Sequence, residues 1–374
     1  MAEQPDIQAV GTHFQIYGRF LRAFPIGTGH INDTYAADYD FGGRTVRFVH
    51  QTINHHVFKS PPGVMENVDR VTRHTRQKLQ AVDDPDAGRK SLTVIPKHDG
   101  SLFYQDPDGV YWRTYIFIDR ATTLETIENH DQAFEVAKAY GHFQHLLVDL
   151  KGARLHETIP DFHHAPKRFD ALNEAVEADT CNRVAEVKRE IEFIRKREES
   201  VYRIVNLMAS GEMPERITHN DTKLNNVLID DATGEGICVI DLDTVMPGSS
   251  LYDFGDMVRT ATSPALEDER DLTKVTMQME MFDALVGGYL TSAGDFLAES
   301  EVRHLVFSGK LMALMIGIRF LTDHLEGDGY FKIRRENHNL DRARTQIKLV
   351  ESIEEQEKEM DDCVTRHMEK LKLA

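Results

Sequence analysis

Cysteine is scarce in this chain. Cys181, Cys238 and Cys363 are its three copies, far apart and with no CxxC spacing. An odd, scattered set builds no disulfide framework and fits a reducing compartment. Cys238 lies inside an apolar run and reads as a small buried hydrophobe. Long hydrophobic stretches are also lacking. No uninterrupted apolar run approaches the about 18 residues of a membrane helix. The N-terminal Met1 to Asp6 has neither the basic patch nor the apolar core of a signal peptide. The expectation is a cytoplasmic protein with no membrane partner. Positive charge is in deficit: 44 Lys and Arg against 62 Asp and Glu leave a net charge of −18. Sequence-independent binding to nucleic acid draws most of its affinity from phosphate contacts, so no nucleic-acid partner is expected. A nucleotide is not excluded, because local positive groups and a metal ion can hold phosphates inside an acidic protein.

What is present describes a globular enzyme-sized chain. Its 374 residues suit about two or three domains, and 41% hydrophobic with 28% charged residues is ordinary globular composition. The first third reads as β. Leu21 to Ile26, Ile31 to Tyr39 and Thr45 to Gln51 are short runs of branched and aromatic residues. Leu92 to Pro96, Ser101 to Gln105 and Val110 to Ile118 follow, punctuated by Asp99-Gly100 and Asp108-Gly109, strong hairpin signals. One helix interrupts them after Ser60-Pro61-Pro62, with Val64, Val68 and Val71 on one face. Past residue 119 the period turns helical: Val136, Tyr140, Phe143, Leu147 and Leu150 form one stripe. Val184, Val187, Ile191, Ile194, Val201, Val205 and Met208 form another, read as one long helix. Leu305 to Leu325 is apolar on nearly all faces and is expected at a domain centre. Ile347 to Leu371 is amphipathic. The layout is α+β, a small β-rich N-terminal lobe over residues 1–118 and a large, mostly helical C-terminal lobe over 119–374.

Residues 218 to 243 carry the chemistry. Thr218-His219-Asn220-Asp221-Thr222-Lys223-Leu224-Asn225-Asn226 precedes two short strands around Thr233-Gly234, and the second strand ends in Val239-Ile240-Asp241-Leu242-Asp243. Phosphoryl transfer from a magnesium nucleotide needs a carboxylate to accept the proton of the attacking hydroxyl. It also needs a cation beside the moving phosphate, and oxygen ligands for the metal. Asp221 and Lys223 suit the first two tasks, Asn226 and Asp241 the third. His219 reads as a brace of the loop. Any one of these residues alone is more often a turn or cap residue; the ordered set is what points to chemistry. Asp253-Phe254-Gly255 imitates a magnesium-binding triplet but follows Pro247-Gly248-Ser249-Ser250 rather than an apolar strand, so Asp253 and Asp256 read as braces or helix caps.

His219 to Asn226 with Ile240-Asp241 resembles the catalytic signature of the aminoglycoside phosphotransferase-like kinases, which have the two-lobed protein-kinase fold. Further blocks in the same order resemble, more narrowly, the bacterial N-acetylhexosamine 1-kinases. They are Gly27-Thr28-Gly29-His30-Ile31-Asn32, Leu251 to Asp256, Arg319-Phe320-Leu321, Leu325-Glu326-Gly327-Asp328, and Arg344 to Val350. The resemblance implies transfer of the γ-phosphate of ATP, with Mg2+, to the anomeric hydroxyl of GlcNAc or GalNAc. It implies Asp221 as base with Lys223 beside it, and Asn226 and Asp241 as metal ligands. It places Gly27, Gly29 and Asn32 at the nucleotide. It places His30, Asp243, Arg319 and Tyr330 at the sugar. ATP and a small sugar are the implied partners; a monomer is an expectation that no motif carries.

The chain departs from protein kinases on its third strand. Thr45 to Gln51 contains no lysine for the α- and β-phosphates, which leaves Arg47, His50 or Gln51 as substitutes. Rival readings are another small-molecule kinase of this fold, acting on a different sugar, an aminoglycoside, choline or homoserine, or an inactive kinase-like binding module. A metal hydrolase built on His142, His145, Asp161, His163 and His164 is a third, without a recognisable ligand spacing.

Overall fold

Branched and aromatic residues alternate along the first strands, and this builds one unit of the protein around an antiparallel sheet. The computed structural model describes residues 5–27 and 31–373. In chain order its elements begin with α1 (Ile7–Gly11), β1 (Arg19–Pro25), β2 (Thr34–Asp40), β3 (Thr45–Ile53), α2 (Pro61–Ala81), β4 (Tyr104–Gln105), β5 (Tyr111–Ile116) and β6 (Ala121–Thr123). They continue with α3 (His130–Leu147), α4 (Ala165–Ala178), α5 (Lys188–Arg195), α6 (Glu198–Ala209), β7 (Arg216–Thr218), β8 (Val227–Asp230), β9 (Gly236–Val239) and β10 (Met246–Gly248). The last are α7 (Ser250–Ala261), α8 (Met279–Ala293), α9 (Glu299–Arg303), α10 (Leu305–Glu326) and α11 (His338–Leu373).

The first unit joins the residues up to Thr122 with Asp149–Pro160 and Leu228–Met246. Its main sheet runs β1-β2-β3-β5-β4, and β6, β8 and β9 form a second. Ile7, Val10 and Phe14 pack on Ala37, Tyr39, Phe48 and Trp112, so the short N-terminal helix covers one sheet face. Two prolines open α2, where no amide hydrogen is needed, and Ser60 caps it by accepting from the Gly63 amide. Two expected strands shrink. Of Leu92 to Pro96 only the Val94 bridge to Tyr115 forms, and of Ser101 to Gln105 only β4. The Asp108-Gly109 turn does join two strands, with Gly109 at a φ of 84°.

The boundary expected at 118 falls instead between Thr122 and Thr123, and two later segments return to the first unit. The reason is strand pairing. β8 pairs with β9 on one side and with β6 on the other, and no local pattern announces the β6 pairing.

The second unit comprises Thr123–Val148, Asp161–Val227 and Pro247–Ala374. α10 is its axis, buried along most of its length, with α4, α7 and α11 packed on it. By length and composition α10 could cross a membrane. Its burial in the unit, with Lys310 and Asp323 drawn into polar partnerships, accounts for the same apolar character. The stripe from Val184 to Met208 is broken rather than continuous. A single 3-10 turn, α5 and α6 share it, because the chain reorients at Lys196 and Arg197 and Arg197 folds over the Phe193 ring.

α3 and α8 cross at small residues. A Cβ added to Gly288 would lie 2.0 Å from the Phe134 backbone oxygen, a contact no rotamer change relieves. Gly288→Ala is expected to lower stability by about 1–3 kcal/mol through overpacking, read as a shift of the denaturation midpoint in urea.

Candidate active site

Two clusters gather the residues singled out by sequence, one in each unit. In the second unit β7 leads into a loop that turns sharply at Asn220, whose φ of 65° is left-handed and unusual for a residue with a side chain. This conformation costs roughly 1 kcal/mol and persists because the loop is held from both sides. Asp253, buried on α7, accepts the His219 amide at 2.8 Å and the Asn220 amide at 2.6 Å. Gln144 Nε2 donates to the same carboxylate at 2.6 Å. Thr222 Oγ1 donates to the Asp253 carbonyl at 2.7 Å, and the Tyr140 hydroxyl to the Lys223 carbonyl at 2.8 Å. Burial pushes the Asp253 carboxyl up, while His219 and the three donors pull it back. Asp253 is thus a brace of the loop, as the run before it suggested.

From the other side His163 Nε2 meets the Asn220 carbonyl at 2.8 Å, which requires the tautomer that donates from Nε2. Its Nδ1 is buried with no partner. This residue was read from sequence only as part of a rival metal cluster. Burial pushes its pKa down to about 4, so it is neutral at pH 7.

The loop so held presents Asp221, Lys223 and Asn226 together. Lys223 Nζ stands 2.8 Å from Asp221 Oδ1 and 3.0 Å from Oδ2. Asn226 Nδ2 donates to the Asp221 carbonyl at 2.9 Å, so the amide nitrogen is spent on the loop and the amide oxygen is the ligand atom that remains. The Asp221 side chain keeps 22% exposure and is open to a reactant. Burial would raise its pKa, but Lys223, His219 and Arg259 outweigh burial and hold it below the usual range. Burial likewise works against the charge on Lys223, and Asp221 outweighs it, so the Lys223 pKa is raised. Both groups are therefore ionised at neutral pH. An oxygen-rich donor set of this kind suits Mg2+, a hard cation.

Arg319 also lies in this unit. It enters no ion pair among the described residues. Its guanidinium sits 5.4 Å from the Phe331 ring and 5.8 Å from the rings of Phe162 and Tyr330. Its only hydrogen bond among the described residues is a long one, 3.5 Å, to the hydroxyl of Tyr330, which is 72% exposed. Burial lowers its pKa. Of the aspartates singled out by sequence, Asp256 holds Arg259 at 2.8 Å, and Asp243 belongs to the other cluster.

That cluster, in the first unit, surrounds Arg113, a residue the sequence reading passed over. Arg113 is fully buried on β5. It pairs with Asp243 and donates to Gln51 Oε1 at 3.0 and 2.8 Å. Asn32 Nδ2 reaches the other Asp243 oxygen at 2.7 Å. Asp243 is thus a buried partner of Arg113 and Asn32 rather than an open acceptor. Asp241, two residues before it, has a left-handed φ of 57°. Gly27 lies two residues past the end of β1, with a φ of 76°. Gly29 and His30 lie outside the described residues.

All three candidates for the missing lysine have partners within the sheet, Gln51 with Arg113 and Thr34. Arg47 pairs with Asp38 at 2.7 Å. His50 is buried between the Tyr39 hydroxyl at 3.1 Å and Thr114 Oγ1 at 2.8 Å, and burial pushes its pKa down to about 4, so it carries no charge for a phosphate. The histidines of the hydrolase reading scatter. His145 pairs with Asp295 and His163 with Asn220. Among the described residues the one His, Cys, Asp or Glu trio in ligating reach of itself is Asp283, Cys363 and His367, on α8 and α11.

The buried histidines make stability depend on pH. Folded pKa values near 4 lie below the ordinary 6.5. The unfolded chain therefore binds protons that the folded chain refuses, and stability is lost as pH falls from about 6.5 toward 4, by at most about 3 kcal/mol for each group. Urea titrations across that range are expected to show the loss, and His163→Gln to flatten it.

Comparison with known families bears on this arrangement. A model of the phosphotransferase enzyme family, APH, matches residues 23–275, more than half of the chain. The chain belongs to that family. The match spans both clusters, from the first strand past α7. The fold of this phosphotransferase is shared with solved structures. An aminoglycoside phosphotransferase from Alicyclobacillus acidocaldarius is 11% identical with a TM-score of 0.61, covering 98% of each chain. A microcompartment-associated aminopropanol kinase is 15% identical with a TM-score of 0.56, over 95% of this chain and 98% of that one. A spectinomycin phosphotransferase, solved with ADP and spectinomycin, is 14% identical with a TM-score of 0.52, over 93% of this chain and 100% of that one. At these identities the likeness is one of fold, a β-sheet N-terminal region and a helical C-terminal region of protein-kinase type.

Proposed function

We propose that this phosphotransferase is an ATP- and Mg2+-dependent kinase that phosphorylates the anomeric hydroxyl of N-acetylhexosamines, GlcNAc or GalNAc, to give the sugar 1-phosphate. Asp221 is the base. It takes the proton of the anomeric hydroxyl as that oxygen bonds to the γ-phosphorus and the bond from phosphorus to the β,γ-bridging oxygen breaks, releasing ADP. A lowered pKa does not disqualify it, because the transition state is loose and the proton moves late, so aim counts for more than basicity. The anomeric hydroxyl is also the most acidic of the sugar's hydroxyls. Lys223, paired with Asp221 at 2.8 Å, holds the base ionised and keeps positive charge beside the transfer. Asn226 and Asp241 would hold Mg2+, which when bound neutralises phosphate charge. Gly27, Asn32 and Gln51 fall to the nucleotide side in this reading, and Arg319 and Tyr330 to the sugar.

Arg319 carries the choice of substrate class. A half-buried cation among three aromatic rings, with no carboxylate partner among the described residues, repels another cation and offers donors to a neutral acceptor. That disfavours polycationic aminoglycosides, choline and amino alcohols, and suits hydroxyl and acetamido oxygens. The flanking sequence blocks support the amino sugar in particular. Another small-molecule kinase activity of the same fold is the alternative. The test is ATP-dependent phosphorylation of a panel of GlcNAc, GalNAc, glucose, choline, homoserine and kanamycin, with the phosphate position read by NMR. Phosphate at carbon 1 of the N-acetylhexosamines is expected. Phosphate at carbon 6 would sink the 1-kinase reading, and turnover of choline or kanamycin alone would favour the alternative.

A further inference from the structure

We infer that Arg113 is a positioning residue for the metal-binding turn. Through Asp243 it sets where the carboxylate of Asp241 points. The inference rests on the reading of Asp241 as a Mg2+ ligand.

Arg113 stands on β5 directly opposite Gln51 of β3 in the sheet register. Its guanidinium is fully buried, and three of its bonds are in place: two to Gln51 Oε1 and one to Asp243. Gln51 is fixed in turn by donating to Thr34 Oγ1 at 2.9 Å. Asn32 closes the network, donating to Asp243 at 2.7 Å and accepting the Asn54 amide at 3.0 Å. A fork of planar donors, itself locked to the sheet, therefore grips the short 3-10 turn Leu242–Thr244.

The turn needs that grip. Asp241 enters it with φ 57° and ψ 58°, a left-handed conformation that a residue with a Cβ adopts at a cost of roughly 1 kcal/mol. Downstream, Asn67 Nδ2 donates to the Val245 carbonyl at 3.0 Å and anchors the far end. Both anchors lie just after Asp241, so the turn that its left-handed backbone leads into is held in place, and with it the position from which the Asp241 side chain departs. Burial works against the charge on Arg113. Asp243 outweighs it, with Asp241 adding to the effect, and the Arg113 pKa is raised, so the cation is permanent. A buried pair of this kind is a poor source of stability but a good source of fixed geometry. A lysine would keep the charge and lose the fork, releasing Gln51 or Asp243.

The experiment compares the full-length wild-type protein with Arg113→Lys and, because that variant could fail to fold, with Gln51→Ala, which frees the fork while leaving the ion pair. Mn2+ binding in the presence of ADP is followed by EPR, without sugar and without turnover, beside the Mg2+ dependence of kcat and the KM for GlcNAc. Either variant, folded by circular dichroism, is expected to weaken Mn2+ binding and raise half-saturating Mg2+ by about tenfold with little change in sugar KM. Unchanged metal binding in a folded variant overturns the inference, as does a loss confined to sugar KM. Asp241→Asn separates the two readings. If it leaves metal binding intact, the assignment of Asp241 fails, and the role of Arg113 fails with it. If it abolishes metal binding while both other variants behave as wild type, only the role of Arg113 is lost.

Discussion

Asp221→Asn is expected to cut turnover of GlcNAc by about 10²–10⁴, the usual worth of a positioned base, with fold and nucleotide binding close to normal. The amide is nearly isosteric, and the loop does not depend on the carboxylate for its shape. The backbone amides of His219 and Asn220 go to Asp253, and the Asn226 side chain holds the Asp221 carbonyl rather than its side chain at the shorter distance. What the change removes is the acceptor for the hydroxyl proton and the partner of Lys223. Steady-state kinetics with ATP and GlcNAc, alongside ADP titration calorimetry, check both halves. Near-normal turnover would show that another group, or water, takes the proton. Lost ADP binding would show that the aspartate serves the nucleotide instead.

Asp253→Ala is expected to act through structure. It orphans three buried donors at once: the His219 amide, the Asn220 amide and Gln144 Nε2. At about 1–3 kcal/mol for each unsatisfied group, the loss is a large share of a typical stability of 5–15 kcal/mol. A fall in the thermal midpoint on the order of 10 °C follows. Turnover should fall with it even below the transition, because the left-handed conformation of Asn220 keeps only the His163 side of its support. Differential scanning calorimetry and kinetics at a temperature where the variant stays folded separate the two effects. A variant with the wild-type midpoint and wild-type turnover would remove Asp253 from the account of the loop.

The two expectations differ in how they could be reached. Asp221, Lys223 and Asn226 are neighbours on one turn, so their proximity follows from chain connectivity alone. Asp253 is remote in sequence, and only the packing of α7 against β7 brings it to the loop. Its location after a Ser-Ser cap, not after an apolar strand, was a sufficient local hint that it braces rather than ligates. Arg113 gave a fainter hint: a charged residue in a strand made mostly of aromatic and apolar residues. Strand periodicity cannot say what such a residue faces, and its partners Gln51 and Asp243 come from other elements. His163 was equally opaque. Its neighbours Asp161 and His164 suggested a metal cluster, whereas its partner is the carbonyl of Asn220.

By itself the sequence determined the class of chemistry, because Asp221, Lys223, Asn226 and Asp241 fall within one continuous stretch and a residue type carries its reactivity wherever it sits. It determined the change from β to helical organisation too, since hydrophobic period is a local property. Tertiary structure alone decided which segments join which unit, because β8 and β9 are completed by a strand far upstream. It alone decided that His50 and His163 are neutral, that Arg113 is bound to Asp243 and that Arg319 has no carboxylate partner among the described residues. Those are matters of burial and of distance between remote residues, and a linear pattern encodes neither.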